Sequence, residues 1–172
     1  MPGQDPRSPR VCGHGARAVG QARDTLGPST PGVSPCPRGI RVVRAFVDTD
    51  ILVRHLTGDP PELVARATRF LAEADQLLLT DLALAEMVYV LESFYEVQRE
   101  RVAELTRSVV AFPAVLSVDD ALLLRTIELY EVERLDFADA YLVASAEATG
   151  LGVVASFDQR IERAPSMRRI EP

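Results

Sequence analysis

The chain has 172 residues, a length that suits one hydrophobic core better than two. Its hydrophobic fraction is 47%, and it holds no apolar run near the roughly 20 residues that a bilayer-spanning helix needs, which excludes an integral membrane protein. Both cysteines lie in the first 44 residues, so a disulfide framework or a thiolate zinc site is excluded for the remainder.

Residues 1–44 differ sharply in composition from the rest of the chain. They hold 7 of the 10 glycines and 7 of the 12 prolines, and their 7 arginines against 2 acids give a formal charge of +5. This composition predicts a disordered basic tail, or an upstream mis-called start with true initiation near Val42 or Val43. The remaining 12 arginines and 23 acids give residues 45–172 a charge of −11, and we expect one folded domain there.

From residue 45 onward, short apolar runs alternate with amphipathic stretches. Four runs predict buried strands, with a short fifth near the C-terminus: 45–47, 77–79, 114–116, 152–155 and 167–170. Six stretches between them have helical periodicity: 50–57, 61–74, 81–96, 98–111, 119–133 and 137–149. Thr80 and Ser117 are plausible N-caps, with Asp120 three residues after Ser117, and Gly150 closes the last stretch as a left-handed C-cap would. Strands and helices in alternation predict a parallel sheet covered on both faces.

Two acids directly follow predicted strands. Asp48 follows the first strand and Asp158 follows the fourth. Ligand sites in open parallel sheets form outside the carboxyl ends of the strands, so both are candidate site residues. Each has an alternative interpretation as the N-cap of the next helix.

Three further acids stand in apolar surroundings. Glu86 is the one charge in a ten-residue apolar stretch, which predicts a helix buried all round. There Glu86 would be neutralised, hydrogen-bonded or at a cleft, with a structural ion pair to an arginine as the alternative. Asp136 and Asp139, three residues apart, share one face at the start of the last helix, although Asp136 also suits the N-cap position.

Five such acids would repel one another if they clustered. The body has no lysine, since all 19 basic residues of the chain are arginine, and it has nearly two acids per arginine. A hard divalent cation would relieve this repulsion, and Mg²⁺ or Mn²⁺ prefers the oxygen ligands that Asp and Glu supply. The sequence therefore predicts a Mg²⁺ or Mn²⁺ site.

Residues 45–172 resemble the PIN domains, and in particular the VapC-like toxins of bacterial toxin–antitoxin pairs. The resemblance depends on four motifs in order: Phe46-Val47-Asp48-Thr49-Asp50, Leu84-Ala85-Glu86, Asp136-Phe137-Ala138-Asp139-Ala140 and Ser156-Phe157-Asp158. It implies a three-layer α/β/α sandwich with a central parallel sheet of about four to five strands. It also implies hydrolysis of RNA with one or two Mg²⁺ or Mn²⁺ ions.

The resemblance also assigns roles to individual residues. Asp48, Glu86, Asp139 and Asp158 match the family's acidic positions, and Asp136 matches an acid common in the toxin branch. The hydroxyl residues Thr49 and Ser156 match supporting positions. Asp50 stands where the family usually has Asn, and it would either add a metal ligand or cap the next helix. We interpret Asp48, Asp139 and Asp158 as metal ligands, and Glu86 and Asp136 as ligands or as residues that orient the attacking water.

The toxin branch further implies a small antitoxin protein as partner and a cytoplasmic location. Apolar helix surface around residues 87–91 suggests a homodimer or a seat for the partner's helix. Arg54, Arg99, Arg101 and Arg134 are candidate phosphate contacts, although most are expected on solvated helix faces. His55 is expected to be partly exposed and not catalytic.

Two other functions compete with this interpretation. The sequence Asp48-Thr49-Asp50 after a strand also resembles the opening of haloacid-dehalogenase-like phosphatases, with Asp48 as nucleophile and Asp50 as acid/base. That family uses a lysine to hold the phosphoryl group, and this chain has none. The other alternative is a non-catalytic PIN-like binding module, whose signature would be loss of the acids, yet all five are present.

Overall fold

The computed structural model describes residues 43–172. The predicted tail, apart from its last two residues, lies outside the described part. All five predicted strands are present: β1 Arg44–Phe46, β2 Gln76–Leu78, β3 Val115–Leu116, β4 Val153–Ala155 and β5 Arg168–Ile170. All six predicted helices are present too: α1 Thr49–Thr57, α2 Pro61–Glu73, α3 Asp81–Ser93, α4 Arg99–Val110, α5 Asp120–Val132 and α6 Phe137–Thr149. A short 3-10 helix, Gln159–Arg163, was not predicted.

Local sequence signals explain several of the helix ends. Thr80 caps α3 by accepting a hydrogen bond from the Ala83 N–H, as its position before an apolar stretch predicts. Gly150 ends α6 in the left-handed conformation, with φ of 71°, which favours glycine because it has no Cβ. At α5 the cap is Asp119, which accepts from the Leu122 N–H.

The strands pair in parallel, as predicted, but in two groups. One sheet has the order β1-β2-β3, with Phe46 beside Leu78 and Leu78 beside Leu116. The other pairs β4 with β5. The sequence predicts one central sheet, whereas in the described part of the chain no hydrogen-bonded strand pair joins the two sheets. Each strand has only two or three residues and therefore offers few backbone groups for pairing.

The core lies between the buried face of the sheets and the helices. Leu77 in β2 is fully buried and belongs to one hydrophobic core with apolar side chains of α3 and α5, which include Leu84, Leu91, Leu123 and Ile127. On the opposite face the apolar row Phe46, Leu78 and Leu116 is exposed, so coverage of both faces is less complete than predicted. Strands this short contribute about one inward side chain each to the core.

Among residues 43–172, no helix combines the length and the hydropathy that crossing a membrane would require.

Candidate active site

Asp48 and Thr49 lie where β1 passes into α1. Asp48 is the N-cap of α1, and its carboxylate accepts a hydrogen bond of 3.3 Å from the Asp50 N–H. The capping interpretation is therefore correct, and because the cap engages only Oδ2, the other carboxylate oxygen can still accept a ligand. The Asp48 side chain is exposed, so it is accessible to a ligand.

Glu86 is held by a hydroxyl group and not by an arginine. The buried Thr49 hydroxyl donates a hydrogen bond of 2.8 Å to Glu86 Oε2, which joins α1 to α3. No arginine of the described residues pairs with Glu86, so the ion-pair alternative is wrong and the cleft alternative is correct. The expectation that α3 is buried all round is also wrong, because Leu82 and Tyr89 lie on the same exposed side as Glu86.

Two of the candidate acids, Asp48 and Glu86, line one open cleft of about 320 Å³. Its lining combines carboxylates with apolar and aromatic side chains: Asp48, Thr49, Asp50, Val53, Arg54, Asp59, Glu86, Val90, Phe94 and Tyr95. Phe94 is 75% exposed and meets the Tyr95 ring edge to face, with 5.0 Å between ring centroids. The cleft thus places oxygen ligands beside an aromatic surface.

Asp50 does not cap α1, since Asp48 occupies that position. Its carboxylate forms an ion pair of 2.9 Å with Arg54, one turn further along α1. Arg54 in turn donates to the Asp59 carbonyl, so this arginine is engaged within the cleft wall. His55 is half-buried and hydrogen-bonded to Thr68, as expected for a residue without a catalytic role.

A second acidic group forms between α6 and the 3-10 helix. It consists of Asp136, Asp139 and Asp158, and we call it the DDD group. Asp136 occupies the N-cap position of α6 but makes no side-chain capping bond there. Asp158 caps the 3-10 helix, and the Ser156 hydroxyl accepts a 2.9 Å hydrogen bond from the Asp158 N–H, which agrees with a supporting role for Ser156.

Arg160 bridges the three carboxylates of the DDD group. Its guanidinium lies 2.6 Å from Asp158 Oδ2, 2.8 Å from Asp136 Oδ2 and 3.9 Å from Asp139 Oδ2. Sequence reasoning missed this residue, although an arginine two positions after a candidate ligand was a usable signal. The guanidinium of Arg160 thus compensates part of the negative charge of the three carboxylates.

Arg160 and burial move two carboxyl pKa values in opposite directions. Hydrogen bonds from Arg160 lower the pKa of Asp158 to about 2. Burial raises the pKa of Asp139 above its ordinary value, and repulsion from Asp158 and Asp136 adds to this, while Arg160 partly opposes it. Asp139 is therefore the carboxylate of this group whose charge is least well compensated.

Arg99 is a structural residue and not a solvated phosphate contact. Its side chain is 18% exposed and donates to the carbonyls of Tyr130 and Leu135, at 2.8 and 2.5 Å. The guanidinium carbon also lies 4.3 Å from the centroid of the Tyr130 ring. These contacts hold the turn before Asp136, in which Arg134 has a left-handed φ of 54°. Arg99 thereby holds the backbone segment that leads into Asp136 of the DDD group.

The described residues do not bring all five candidate acids into contact. No side-chain hydrogen bond or ion pair links the acids of the cleft to the DDD group, and within residues 43–172 no three metal-binding side chains are grouped closely enough to hold one ion. Both groups offer carboxylate oxygens, the donors that Mg²⁺ and Mn²⁺ prefer, so the donor chemistry fits such an ion. A shared five-carboxylate site remains a prediction.

Comparison with known proteins identifies one family. A protein-family model described as "PIN domain" matches residues 45–166, which include every candidate acid and Arg160. No curated protein matches the chain.

Proposed function

The chain belongs to the PIN-domain family, and from that premise we propose that it is a metal-dependent endoribonuclease. Proteins with this domain are typically nucleases that act on RNA or DNA. The observation that carries the proposal is the open cleft in which Asp48 and Glu86 lie beside the exposed ring of Phe94. Such a cleft offers oxygen ligands for a cation next to an apolar surface for a base.

We propose that Asp48, Glu86, Asp139 and Asp158 hold Mg²⁺ or Mn²⁺, directly or through water, with Asp136 as a further ligand or as the residue that orients the attacking water. When bound, the ion would activate water and stabilise charge on the phosphoryl oxygens. Hydrolysis by water in line with the leaving oxygen would give a 5′-phosphate and a 3′-hydroxyl.

The supporting residues restrict the carboxylates that they contact. The buried Thr49 hydroxyl limits rotation of the Glu86 carboxylate, and Ser156 fixes the backbone that carries Asp158. Restricting ligands before the reaction lowers the cost of orienting them during it.

Single-stranded or loop RNA is the substrate class that suits the cleft. Bases outside a duplex can stack on aromatic side chains such as Phe94, whereas paired bases cannot reach them. The body of the chain carries −11, so phosphate binding is unfavourable without a compensating cation. We therefore expect cleavage to require a metal ion and an RNA segment outside a duplex.

The test is cleavage mapping across total RNA with the wild type and Asp48→Asn, with and without EDTA. We expect Mg²⁺- or Mn²⁺-dependent cuts that EDTA and Asp48→Asn abolish. Asp120→Asn is the matched control, because Asp120 is an exposed acid on α5 that accepts from Ser117 outside the cleft. Full cleavage in EDTA would contradict the metal mechanism, and preferential cleavage of single-stranded DNA would contradict RNA as the substrate.

We also propose that this nuclease is the toxin of a toxin–antitoxin pair, acting in the cytoplasm and forming a homodimer. The resemblance to VapC-like toxins supports the role, and the acidic cleft suits an inhibitor that inserts a basic side chain. Co-expression with the short reading frame upstream in its genome should give a complex and relieve a growth defect. Harmless expression of an active nuclease with no complex would point to a housekeeping role.

The two alternative functions have less support. A phosphatase with Asp48 as nucleophile would need Asp50 free as acid/base, whereas Asp50 is paired with Arg54, and the chain has no lysine for the phosphoryl group. A non-catalytic module would not need the orientation that Thr49 gives to Glu86.

A further inference from the structure

Arg160 makes more contacts with the DDD group than one ion pair requires. Its Nε and one terminal nitrogen contact the Asp158 carboxylate at 2.9 and 2.6 Å, while the other terminal nitrogen contacts Asp136 at 2.8 Å. Three carboxylates therefore share one guanidinium, whose planar fork of donors suits such bridging.

We propose that Arg160 is an internal competitor of the divalent cation, holding the DDD group closed in the metal-free protein and leaving it when the ion binds. This inference rests on the proposed metal-dependent function. It adds a residue of the chain itself as the element that sets the metal affinity.

Competition follows from the oxygen atoms involved. The Arg160 guanidinium donates twice to Asp158 Oδ2, more weakly to Asp158 Oδ1 at 3.2 Å, and also contacts Asp136 Oδ2. An ion cannot coordinate an oxygen along the direction that a guanidinium hydrogen bond already fills. Two positive charges at one group would also repel each other. Binding of the ion therefore requires at least part of these contacts to break.

The position of Arg160 allows it to leave without unfolding its helix. The side chain is 43% exposed and has several rotatable bonds, so the guanidinium can move out into solvent. A separate hydrogen bond of 2.8 Å from the Arg160 backbone N–H to Asp158 Oδ1 caps the 3-10 helix. The guanidinium can thus swing away while the backbone stays in place.

Arginine stays protonated at all ordinary pH values, so raising the pH would not release it. Metal concentration is then the variable that moves the group between its two states.

The expected size of the effect follows from the population of the closed state. If the closed state makes up about 90% of the metal-free protein, the apparent metal affinity is about tenfold weaker than that of the open state. Replacing Arg160 by a neutral residue of similar size should remove this penalty.

The experiment is isothermal titration of the full chain with Mn²⁺, without RNA, comparing wild type with Arg160→Gln. We expect Arg160→Gln to bind Mn²⁺ roughly tenfold more tightly. Arg163→Gln is the matched control: Arg163 lies in the same 3-10 helix and donates to the Arg134 carbonyl instead of pairing with the DDD group. Its affinity should stay within about twofold of wild type.

A second variant covers the case in which Arg160→Gln does not fold. Arg160→Lys keeps the charge but loses the fork that bridges Asp136 and Asp158, and we expect an affinity between those of wild type and Arg160→Gln. Thermal melting adds an independent readout. Without metal, Arg160→Gln should melt below wild type, and Mn²⁺ should raise its melting temperature by more.

The outcomes separate this inference from the proposed function. Equal or weaker Mn²⁺ binding by Arg160→Gln and Arg160→Lys would overturn the competition while leaving metal dependence intact. Absence of Mn²⁺ binding in every variant, with cleavage unaffected by EDTA, would overturn the proposed metal mechanism and the inference with it.

Discussion

The Thr49 hydroxyl donates to Glu86 Oε2 across 2.8 Å, linking the first turn of α1 to the middle of α3. Thr49 is buried while Glu86 is exposed, so the hydroxyl anchors a carboxylate that the solvent would otherwise leave free to rotate. In metal sites, residues of this kind commonly change affinity or activity by about 10- to 100-fold when they are replaced.

We therefore predict that Thr49→Val lowers kcat/KM on single-stranded RNA at least about tenfold, with a stability loss of about 1 kcal/mol. The matched control is Thr106→Val. Thr106 is equally buried, but its hydroxyl donates to the Val102 carbonyl within α4. The control should show a similar or smaller stability loss with unchanged cleavage. Equal losses of activity in both variants would mean that Thr49 acts through stability alone.

Lowering the pH should change the contributions of Asp139 and Asp158 to the stability of the fold in opposite directions. The pKa of Asp139 is raised in the folded chain, mainly by burial, so the ionised form costs stability at neutral pH; this cost fades as the pH falls through the raised pKa and is gone below the ordinary carboxyl value. The pKa of Asp158 is lowered to about 2, so its ionised form stabilises the fold above the ordinary value, and that contribution is lost as the pH falls through about 2.

At pH 7 we accordingly expect Asp139→Asn to raise the melting temperature and Asp158→Asn to lower it, although both should abolish cleavage. Melting curves from pH 7 to pH 3 measure the difference. The stabilisation by Asp139→Asn should disappear toward the acid end of this range. A lower melting temperature for Asp139→Asn at pH 7 would show that Arg160 outweighs burial at this carboxylate.

The order and type of the elements could be predicted because their sequence signals are local. Apolar runs mark β2 and β4, and Gly150 closes α6 with the positive φ that glycine tolerates. The cap of α5 shows the limit of such signals. Two residues with capping side chains, Ser117 and Asp119, precede the helix, and the sequence favours Ser117. In the structure Ser117 donates to the Asp120 side chain, whereas Asp119 makes the capping bond.

The acids of the site could be predicted because a carboxylate in an apolar stretch is conspicuous in a sequence. Thr49 and Ser156, which contact Glu86 and Asp158, were expected as supporting residues. The arginine contacts were not expected, since most of them join residues that are distant along the chain. Arg99 reaches Leu135, 36 positions away, and Arg160 reaches Asp136, 24 positions away. The role of Phe94 could not be predicted for a different reason. An aromatic residue near a helix end is usually expected in the core, whereas Phe94 is exposed and lines the cleft.

Phe94 should contribute to substrate binding and not to the chemical step. We predict that Phe94→Ala raises KM for single-stranded RNA about 5- to 100-fold with little change in kcat, because stacking on one base contributes roughly 1–3 kcal/mol. Phe94→Tyr should preserve binding. Leu82→Ala, which removes an exposed apolar side chain outside the cleft, is the control. An unchanged KM for Phe94→Ala would exclude base stacking at this position.

Residues 1–44 carry none of the candidate acids, and we predict that a chain beginning at Val42 keeps the melting temperature and cleavage of the full chain. A chain beginning at Ala45 should melt at least about 5 °C lower. The reason lies in Val43, whose N–H donates to the Asp75 carboxylate at 2.7 Å and whose carbonyl accepts from the Asp75 and Gln76 N–H groups. If the Val42 chain melts several degrees below the full chain, the tail contributes to the stability of the domain.

Arg99 should be the arginine of α4 whose loss costs most stability. Arg99→Ala removes two charge-assisted hydrogen bonds to carbonyls and the contact with the Tyr130 ring, and we expect a loss of about 2–4 kcal/mol in the free energy of unfolding. Arg101→Ala, on the same helix with an exposed ion pair to Glu104, should cost less than about 0.5 kcal/mol.

Urea denaturation of both variants measures this difference, and Arg99→Lys refines it. One nitrogen of Arg99 donates to both carbonyls, which an ammonium group could also do, but lysine has no planar guanidinium to lie over the Tyr130 ring, so it should recover only part of the loss. Because the turn that Arg99 holds leads directly into Asp136, Arg99→Lys should also lower cleavage under conditions in which it is fully folded. Full stability and activity in Arg99→Lys would mean that a positively charged donor, without the planar guanidinium over Tyr130, is sufficient to hold this turn.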